Sequence, residues 1–401
     1  MRALQANTTG SENTAVGQGA LDANTTAAGN TAVGSDALTA NTTGAANVAV
    51  GKNALEANTT SSYNTGIGRS ALGANTGGQQ NTAVGGESLD ANTTGGDNTA
   101  VGYNSLGGNT TGTNNTAFGK SAGKSFTTTD DNTAIGQEAL FTATSNDNTA
   151  VGFQSLYSTT SGHSNTAIGH NAGFGNTTAN TNCFFGFSAG STVTTGAGNV
   201  YIGISAGSHG NSATTGNDNV VIGAYADLSA DGGSGQLVLG QNVTGGGDAT
   251  GSLGHGNNKI SIAFNGSTTT FTASSDIRLK DNIEDCDVGI DFINELRPIT
   301  YKWKAKKDVP TQWKKIYDDG SDDPCKGIGE TNHGFIAQEV KEAIDKYKGI
   351  KDGHNIWKTD PEGVQELSPG ALMPMMVKAV QELSAQVEEL KLQPKCKCNE
   401  E

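Results

Sequence analysis

The segment NTAVGSDALTANTTGAA, residues 30–46, is one unit of a repeat that occupies the first two thirds of the chain. A new copy of its opening N-T-A-V-G begins every 17 residues, apart from one step of 16 before Asn148 and one step of 20 before Asn219, and a faded copy, QLVLG, lies at residues 236–240. The thirteen clear copies open at Asn13, Asn30, Asn47, Asn64, Asn81, Asn98, Asn115, Asn132, Asn148, Asn165, Asn182, Asn199 and Asn219. A fixed period of this length predicts a stacked repeat architecture.

Two apolar columns recur at fixed places in the unit. The first is Val16, Val33, Val50, Ile67, Val84, Val101, Phe118 and Ile135, and the second is Leu21, Leu38, Leu55, Leu72, Leu89 and Leu106. One unit is too small to bury these side chains, but units stacked about 4.8 Å apart turn each column into a continuous ladder. We therefore predict a β-solenoid or β-roll with two short extended segments and two turns per unit. Stacked Asn side chains are expected to satisfy the turn backbone. From Ser121 the second column thins to Gly, which predicts a change of cross-section.

Other interpretations of the repeat are weaker. The NTT triplets at Asn24, Asn41 and Asn58 match the N-glycosylation acceptor pattern, but a periodic Asn favours a structural role. Regular Thr columns leave an ice-binding face open as an alternative. The calcium-binding nonapeptide is absent, and no paired carboxylates recur as a glycosidase needs. The pattern of residues 1–245 resembles the β-roll heads of trimeric autotransporter adhesins and the shafts of phage tail fibres.

Composition changes abruptly near residue 274. All 7 prolines, all 3 tryptophans and 19 of the 25 Lys and Arg residues lie beyond Ser275, which predicts a second domain there. The net charge of −15 argues against a nucleic-acid partner, and no apolar run is long enough to insert in a membrane or resembles a signal peptide. The 5 scattered cysteines are expected to be free thiols. We expect no metal and no cofactor.

Three motifs mark the second domain: SSDIRLKDNI at residues 274–283, LRPITYKW at 296–303 and HGFIAQEV at 333–340. Apolar spacing predicts a helix over residues 287–296, a strand over 299–303, and a short strand that runs into a helix over 333–344. A charged insertion at residues 304–327 is expected to form a surface loop.

These motifs, in this order and followed by a terminal helix, resemble the intramolecular chaperone domain of endosialidase and of other phage tail spikes and fibres. The resemblance spans residues 275–392 and implies a trimerisation domain that cuts itself from the chain. It places the catalytic serine at Ser275, the lysine at Lys280 and the scissile bond between Ser274 and Ser275. A serine hydroxyl needs a base, and a desolvated lysine with a lowered pKa can serve as that base.

Further residues of the motifs are expected to support this site. Asp276, Arg278 and Asn282 would position the reacting groups, and His333 could contact them, although a hydrogen-bonded structural role for His333 is favoured. The alternative for the first motif is that Ser and Asp cap a helix or turn.

The terminal segment 372–392 carries an a/d pattern of nearly three heptads: Met373, Met376, Val380, Leu383, Val387 and Leu390. So short a coiled coil is marginal alone and would clamp chains that the preceding domain holds in register. Three strands are what the resemblance implies, and a core helix in a monomer is the alternative.

The sequence therefore predicts a mostly β fold. A trimeric β-solenoid or β-roll shaft over residues 1–245 is followed by a Gly-rich connection at 246–274 and by a small α/β chaperone and auto-protease domain at 275–401, which ends in the coiled coil. We expect a phage tail fibre or spike, made in the host cytoplasm and carried on the virion. Its expected partners are two further copies of the chain, a glycan or protein receptor on the host surface, and other tail proteins. The alternatives are a bacterial trimeric adhesin, a structural or ice-binding solenoid, and a capsular depolymerase.

Overall fold

The computed structural model describes residues 2–211, 213–264, 271–273, 281, 283–314, 320–326, 329–347, 350, 356–359 and 364–392. The chain divides into two compact units, Met1–Ser275 and Asp276–Glu401.

The first unit is a β-solenoid, which confirms the predicted fold class. Each repeat contributes one three-residue strand, and the strands pair in parallel with every residue opposite its equivalent, as Thr14 pairs with Thr31. The strands β1 to β14 are Thr14–Val16, Thr31–Val33, Val48–Val50, Thr65–Ile67, Thr82–Val84, Thr99–Val101, Thr116–Phe118, Thr133–Ile135, Thr149–Val151, Thr166–Ile168, Cys183–Phe185, Val200–Ile202, Val220–Ile222 and Leu237–Leu239.

The rest of each coil consists of turns, so the expected second extended segment does not form a strand. Asp36, Leu38 and Ala46 have φ angles of 61°, 52° and 56°. This left-handed conformation recurs at the equivalent residues of the other coils and bends the chain too sharply for a strand. From Leu21 onward, the strain on each left-handed Leu is offset because its side chain is fully buried.

The central residue of each strand faces inward, and in most coils it is a small residue. Ala32 and its equivalents are buried, as is the Leu column that begins at Leu21. The Val33 column forms the predicted ladder but lies on the outer face, where Val16 is 58% and Phe118 57% exposed. Because successive residues of a strand alternate between its two sides, the central Ala and the following Val cannot both face inward.

Where Leu is replaced by Gly, an aromatic side chain fills the space. A Cβ atom at Gly207 would lie 2.6 Å from the ring of Tyr201, and one at Gly190 would overlap the ring of Phe184. Both rings occupy the inner strand position that holds Ala in earlier coils and are fully buried. In these coils, an aromatic side chain of the strand therefore fills the core volume that the missing Leu side chain would occupy.

Two buried Asn ladders run along the solenoid, as predicted. The Asn47 backbone N–H donates to Asn30 Oδ1 at 2.9 Å, and Asn47 Nδ2 donates to the Ser61 carbonyl at 2.9 Å. In the second ladder, Asn41 Nδ2 donates to Asn24 Oδ1 and to the Gly44 carbonyl. Asn24 and Asn41 are fully buried, so the periodic Asn of the NTT triplets is a structural residue in the folded coil.

The Gly-rich segment after residue 245 continues the sheet. Strand β15, Thr250–His255, pairs in parallel with β14, and β16, Asn258–Ala263, folds back antiparallel on β15. Strand β17, Phe271–Ala273, pairs antiparallel with β16.

The second unit is a small α/β domain. Its elements are α1, Ile290–Glu295; β18, Ile299–Tyr301; β19, Asn332–Gly334; α2, Ala337–Lys346; β20, Trp357–Thr359; β21, Gln365–Leu367; and α3, Met373–Leu392. Among the residues described, single 3-10 turns accompany them at Lys306–Asp308, Thr311–Trp313 and Pro369–Leu372. The predicted helices and strands of the three motifs are confirmed. Its core is built around Val288, Phe292, Val340, Ala343, Ile344, Ile350, Ile356, Leu372 and Met375.

Candidate functional site

The predicted catalytic and scissile residues fall outside the residues that the structure describes. They are Ser274, Ser275, Asp276, Arg278, Lys280 and Asn282. Their roles therefore stay predictions. The structure describes the segments that precede and follow them in the chain.

On the upstream side, the predicted scissile bond follows directly on strand β17. Ala273, the last residue of β17, pairs with Ile260 of β16. Among the strands described, β17 pairs with β16 alone and is therefore an edge strand. A cut after residue 274 would leave this sheet complete.

A lysine that was not predicted as a functional residue from the sequence lies in β16, next to the residue that pairs with Ala273. Lys259 precedes Ile260, and its Nζ donates to the carbonyls of Thr244 and, at 3.1 Å, Gly245. Partial burial lowers the pKa of Lys259. The two carbonyls belong to the turn before β15. Their hydrogen bonds from the Lys259 ammonium therefore hold β16 against this turn. The sequence could have indicated this lysine, because it is the one charged residue in the segment NKISIA.

On the downstream side, helix α1 is capped by a distant residue. Its N-cap, Gly289, provides no side-chain cap, and the Ile290 backbone N–H instead donates to Glu382 Oε2 on α3 at 2.7 Å. A Cβ atom on Gly289 would overlap the Glu382 carboxylate, so a glycine is needed for this approach. Lys378 lies 3.6 Å from the same carboxylate group and balances its charge.

The second and third motifs meet in a two-stranded sheet, in which His333 pairs with Thr300. The exposed His333 side chain lines a cavity of about 690 Å³ together with Trp303, Lys326 and Lys358. The Lys326 ammonium lies 5.3 Å from the centre of the Trp303 ring, a favourable cation–π contact.

The charged insertion borders a neighbouring cavity of about 370 Å³. Val309 and Pro310 line it with Cys325 and Trp303. An isolated bridge between Ala305 and Pro324 holds the two ends of the insertion together. Residues of the insertion therefore form one side of this cavity at the surface of the domain.

Helix α3 presents an apolar seam to solvent. All six predicted a/d residues are exposed, from 41% for Val387 to 64% for Leu390. Met375 and Ala379 face the domain instead and are buried. The exposed a/d residues, called here the α3 seam, are therefore free to pack against another chain in this single-chain structure.

The decisive comparison concerns the residues that follow β17. Residues 275–348 match the family model described as chaperone of endosialidase. This peptidase family covers under a fifth of the chain, and its match begins two residues after β17 ends. Over these residues the chain is therefore similar to the chaperone domain of a self-cleaving peptidase family. Neither the comparison with curated proteins nor that with solved structures returned a match.

The described residues hold neither a candidate membrane span nor a candidate metal cluster. None of the helices among them is both long and apolar enough to cross a membrane. No cluster of three or more His, Cys, Asp or Glu side chains with metal-binding geometry occurs in this part of the chain.

Proposed function

We propose that the chain is a phage tail-fibre or tail-spike component that attaches to a host surface. Its C-terminal chaperone domain brings three copies into register and then cuts itself off between Ser274 and Ser275. The observation that supports this proposal is that the solenoid sheet, which ends with β17, is followed directly by residues that match the model of a chaperone and peptidase family.

The proposed chemistry needs two side chains. Lys280 removes the proton from the Ser275 hydroxyl, whose oxygen attacks the carbonyl carbon of Ser274. The C–N bond breaks, the Ser275 nitrogen takes the proton from Lys280, and an ester joins the two residues. Water then hydrolyses the ester, which leaves a carboxylate on Ser274 and a free amine and hydroxyl on Ser275.

The α3 seam supports the assembly step. An exposed row of Val, Leu and Met at heptad spacing favours self-association of helices. Because Glu382 on the same helix caps α1, packing of the seam would also fix the first helix after the processing motif. Assembly and burial of Lys280 could thus be coupled, so that cutting follows correct assembly.

Intact mass measurement of the expressed 401-residue chain tests the proposal. We expect two products separated by a cut before Ser275, and a shaft that sediments as a trimer. Ser275→Ala and Lys280→Ala should each trap the uncut chain without loss of assembly, whereas the matched control Ser274→Ala should still be cut. A folded trimer that stays uncut would contradict the peptidase role. Cosedimentation of the cut shaft with intact bacterial cells tests attachment.

A further inference from the structure

The outer face of the solenoid changes character in its last six coils, β9 to β14. Three outward columns define this face: the first and third residue of each strand, and the residue two places after the strand. They comprise Thr149, Val151, Phe153, Thr166, Ile168, His170, Cys183, Phe185, Phe187, Val200, Ile202, Ile204, Val220, Ile222, Ala224, Leu237, Leu239 and Gln241. We call this set the apolar face.

The apolar face has no Asp, Glu, Lys or Arg, whereas the same columns of earlier coils carry Lys52, Arg69 and Lys120. Several large apolar side chains on it are well exposed in the single chain. They are Phe153 at 38%, Phe185 and Phe187 at 52%, Ile202 at 36%, Ile204 at 47% and Ile222 at 39%. Soluble single chains rarely expose a contiguous patch of this kind unless it meets a partner.

The size of the face fits an interface between proteins. Strand spacing and residue rise make it roughly 25 Å by 15 Å, and the outward Val column extends it to about 60 Å in length. The combined surface approaches the roughly 800 Å² per partner of a specific interface.

The chemistry of the face disfavours two other occupants. Nucleic acid would need cations, which the face lacks. A glycan would stack on ring faces, but Phe153, His170 and Phe187 form a row with centroids 5.0 Å apart, so each ring covers the face of its neighbour. A second copy of the same face, uncharged and with the same rise per coil, is complementary without repulsion.

We infer that the apolar face is the surface along which copies of this chain pack, parallel and in register. The inference rests on the proposed function in one respect. Self-cleavage would release the α3 seam with the chaperone domain, so the finished shaft needs an interface of its own. The last six coils would provide it, while the earlier coils, with charges in the same columns, contribute less.

Site-specific cross-linking of the full-length chain tests this. In a background with all five Cys changed to Ser, Ile202→Cys lies on the apolar face, and Thr195→Cys is an exposed control on the adjoining turn. With a short bis-maleimide, we expect at least five-fold more covalent dimer from Ile202→Cys. Equal yields from the two positions, or no cross-link at Ile202→Cys, would overturn the inference.

A disruptive pair of variants gives a second readout. Phe187→Glu with Ile204→Glu should make the cut shaft sediment as a monomer, while Thr195→Glu leaves it assembled. A cut double variant that stays assembled would also overturn the inference. The cross-linking is run in parallel on a Ser275→Ala background and the cut is scored by mass, so failure of the peptidase and failure of the interface are distinguishable.

Discussion

The Glu382 carboxylate accepts a hydrogen bond from the Ile290 backbone N–H at 2.7 Å, across 92 residues of sequence. It serves as the N-terminal cap that α1 lacks locally, and its negative charge lies where the helix dipole favours it. The helix that carries the exposed seam is thereby fastened to the first helix after the processing motif.

Removal of this cap should destabilise the second unit. We expect Glu382→Ala to lower its free energy of unfolding by about 1–2 kcal/mol, since a part-buried N–H at a helix N-terminus loses its acceptor. All three tryptophans lie in the second unit, so urea unfolding followed by tryptophan fluorescence reports on it selectively. Glu388→Ala, which removes an exposed ion pair with Lys391, is the control and should change stability by less than about 0.5 kcal/mol. Equal effects would show that the cap contributes nothing specific.

A charge in the α3 seam should impair assembly without unfolding the domain. Leu383 is 51% exposed in the single chain, so Leu383→Glu costs little until copies meet. After refolding from denaturant, we expect the oligomer yield from sedimentation to fall several-fold. Ala385→Glu, on the other side of the same helix, should refold like the unaltered chain. An unchanged yield for Leu383→Glu would argue that α3 is a monomer's surface helix.

The stacked glycines of the solenoid should tolerate no side chain. Gly85 has a φ of 134°, and a Cβ atom there would lie 2.5 Å from the Gly102 carbonyl oxygen. We expect Gly85→Ala to destabilise the shaft by about 2 kcal/mol or more, because backbone strain adds to the clash. At the adjacent Gly86 the nearest atom is a Tyr103 ring carbon at 3.6 Å, so Gly86→Ala is the matched control. Thermal unfolding by far-ultraviolet circular dichroism compares them, and similar midpoints would contradict the stacking.

Two aspartates of the shaft should give pH dependences of opposite sign. Burial raises the pKa of Asp227 above 3.8, although backbone N–H groups of Gly210 and Asn211 oppose the shift. Its protonated form is favoured on folding, so its stabilisation is present below 3.8 and is lost as pH rises through the folded pKa. Hydrogen bonds from Thr214 lower the pKa of Asp231, so its stabilisation is present above 3.8 and is lost as pH falls through the folded pKa.

Urea unfolding between about pH 3 and pH 7 measures both effects by comparison with the Asn variants. The stability of the unaltered shaft relative to Asp227→Asn should decrease as pH rises above 3.8. Relative to Asp231→Asn, it should decrease as pH falls below 3.8. Slopes of the same sign would contradict the environments described for these carboxylates.

Much of the fold could be predicted because the repeat leaves few alternatives. A 17-residue unit cannot bury its own Leu, so stacking with equivalent residues in register follows from the period alone. The outward direction of the Val33 column was missed. The N-T-A-V-G pattern shows that Ala32 and Val33 face opposite ways, and the aromatic Phe184 and Tyr201 at the Ala position indicated which way is inward.

The helices and strands that follow the candidate site in the chain were predicted from the sequence, whereas the catalytic residues themselves stay predictions. The motifs themselves indicated that β18 and β19 would form and where α3 would begin, because apolar periodicity and Pro298 are local signals. The assignment of Ser275 and Lys280 as catalytic residues depends on their sequence motif. The capping of α1 by Glu382 had no signal in the sequence, because a hydrogen bond across 92 residues depends on how α3 packs.

The sequence by itself determined the period and the ladders, since these follow from spacing and residue type. The tertiary structure alone decided which side of each strand is covered. Left-handed residues such as Leu38 close each coil on the side of the small Ala, and this leaves Val33 and the apolar face outside. The alternation of side chains along a strand gives it two different faces, whereas the path of the turns decides which of the two is buried.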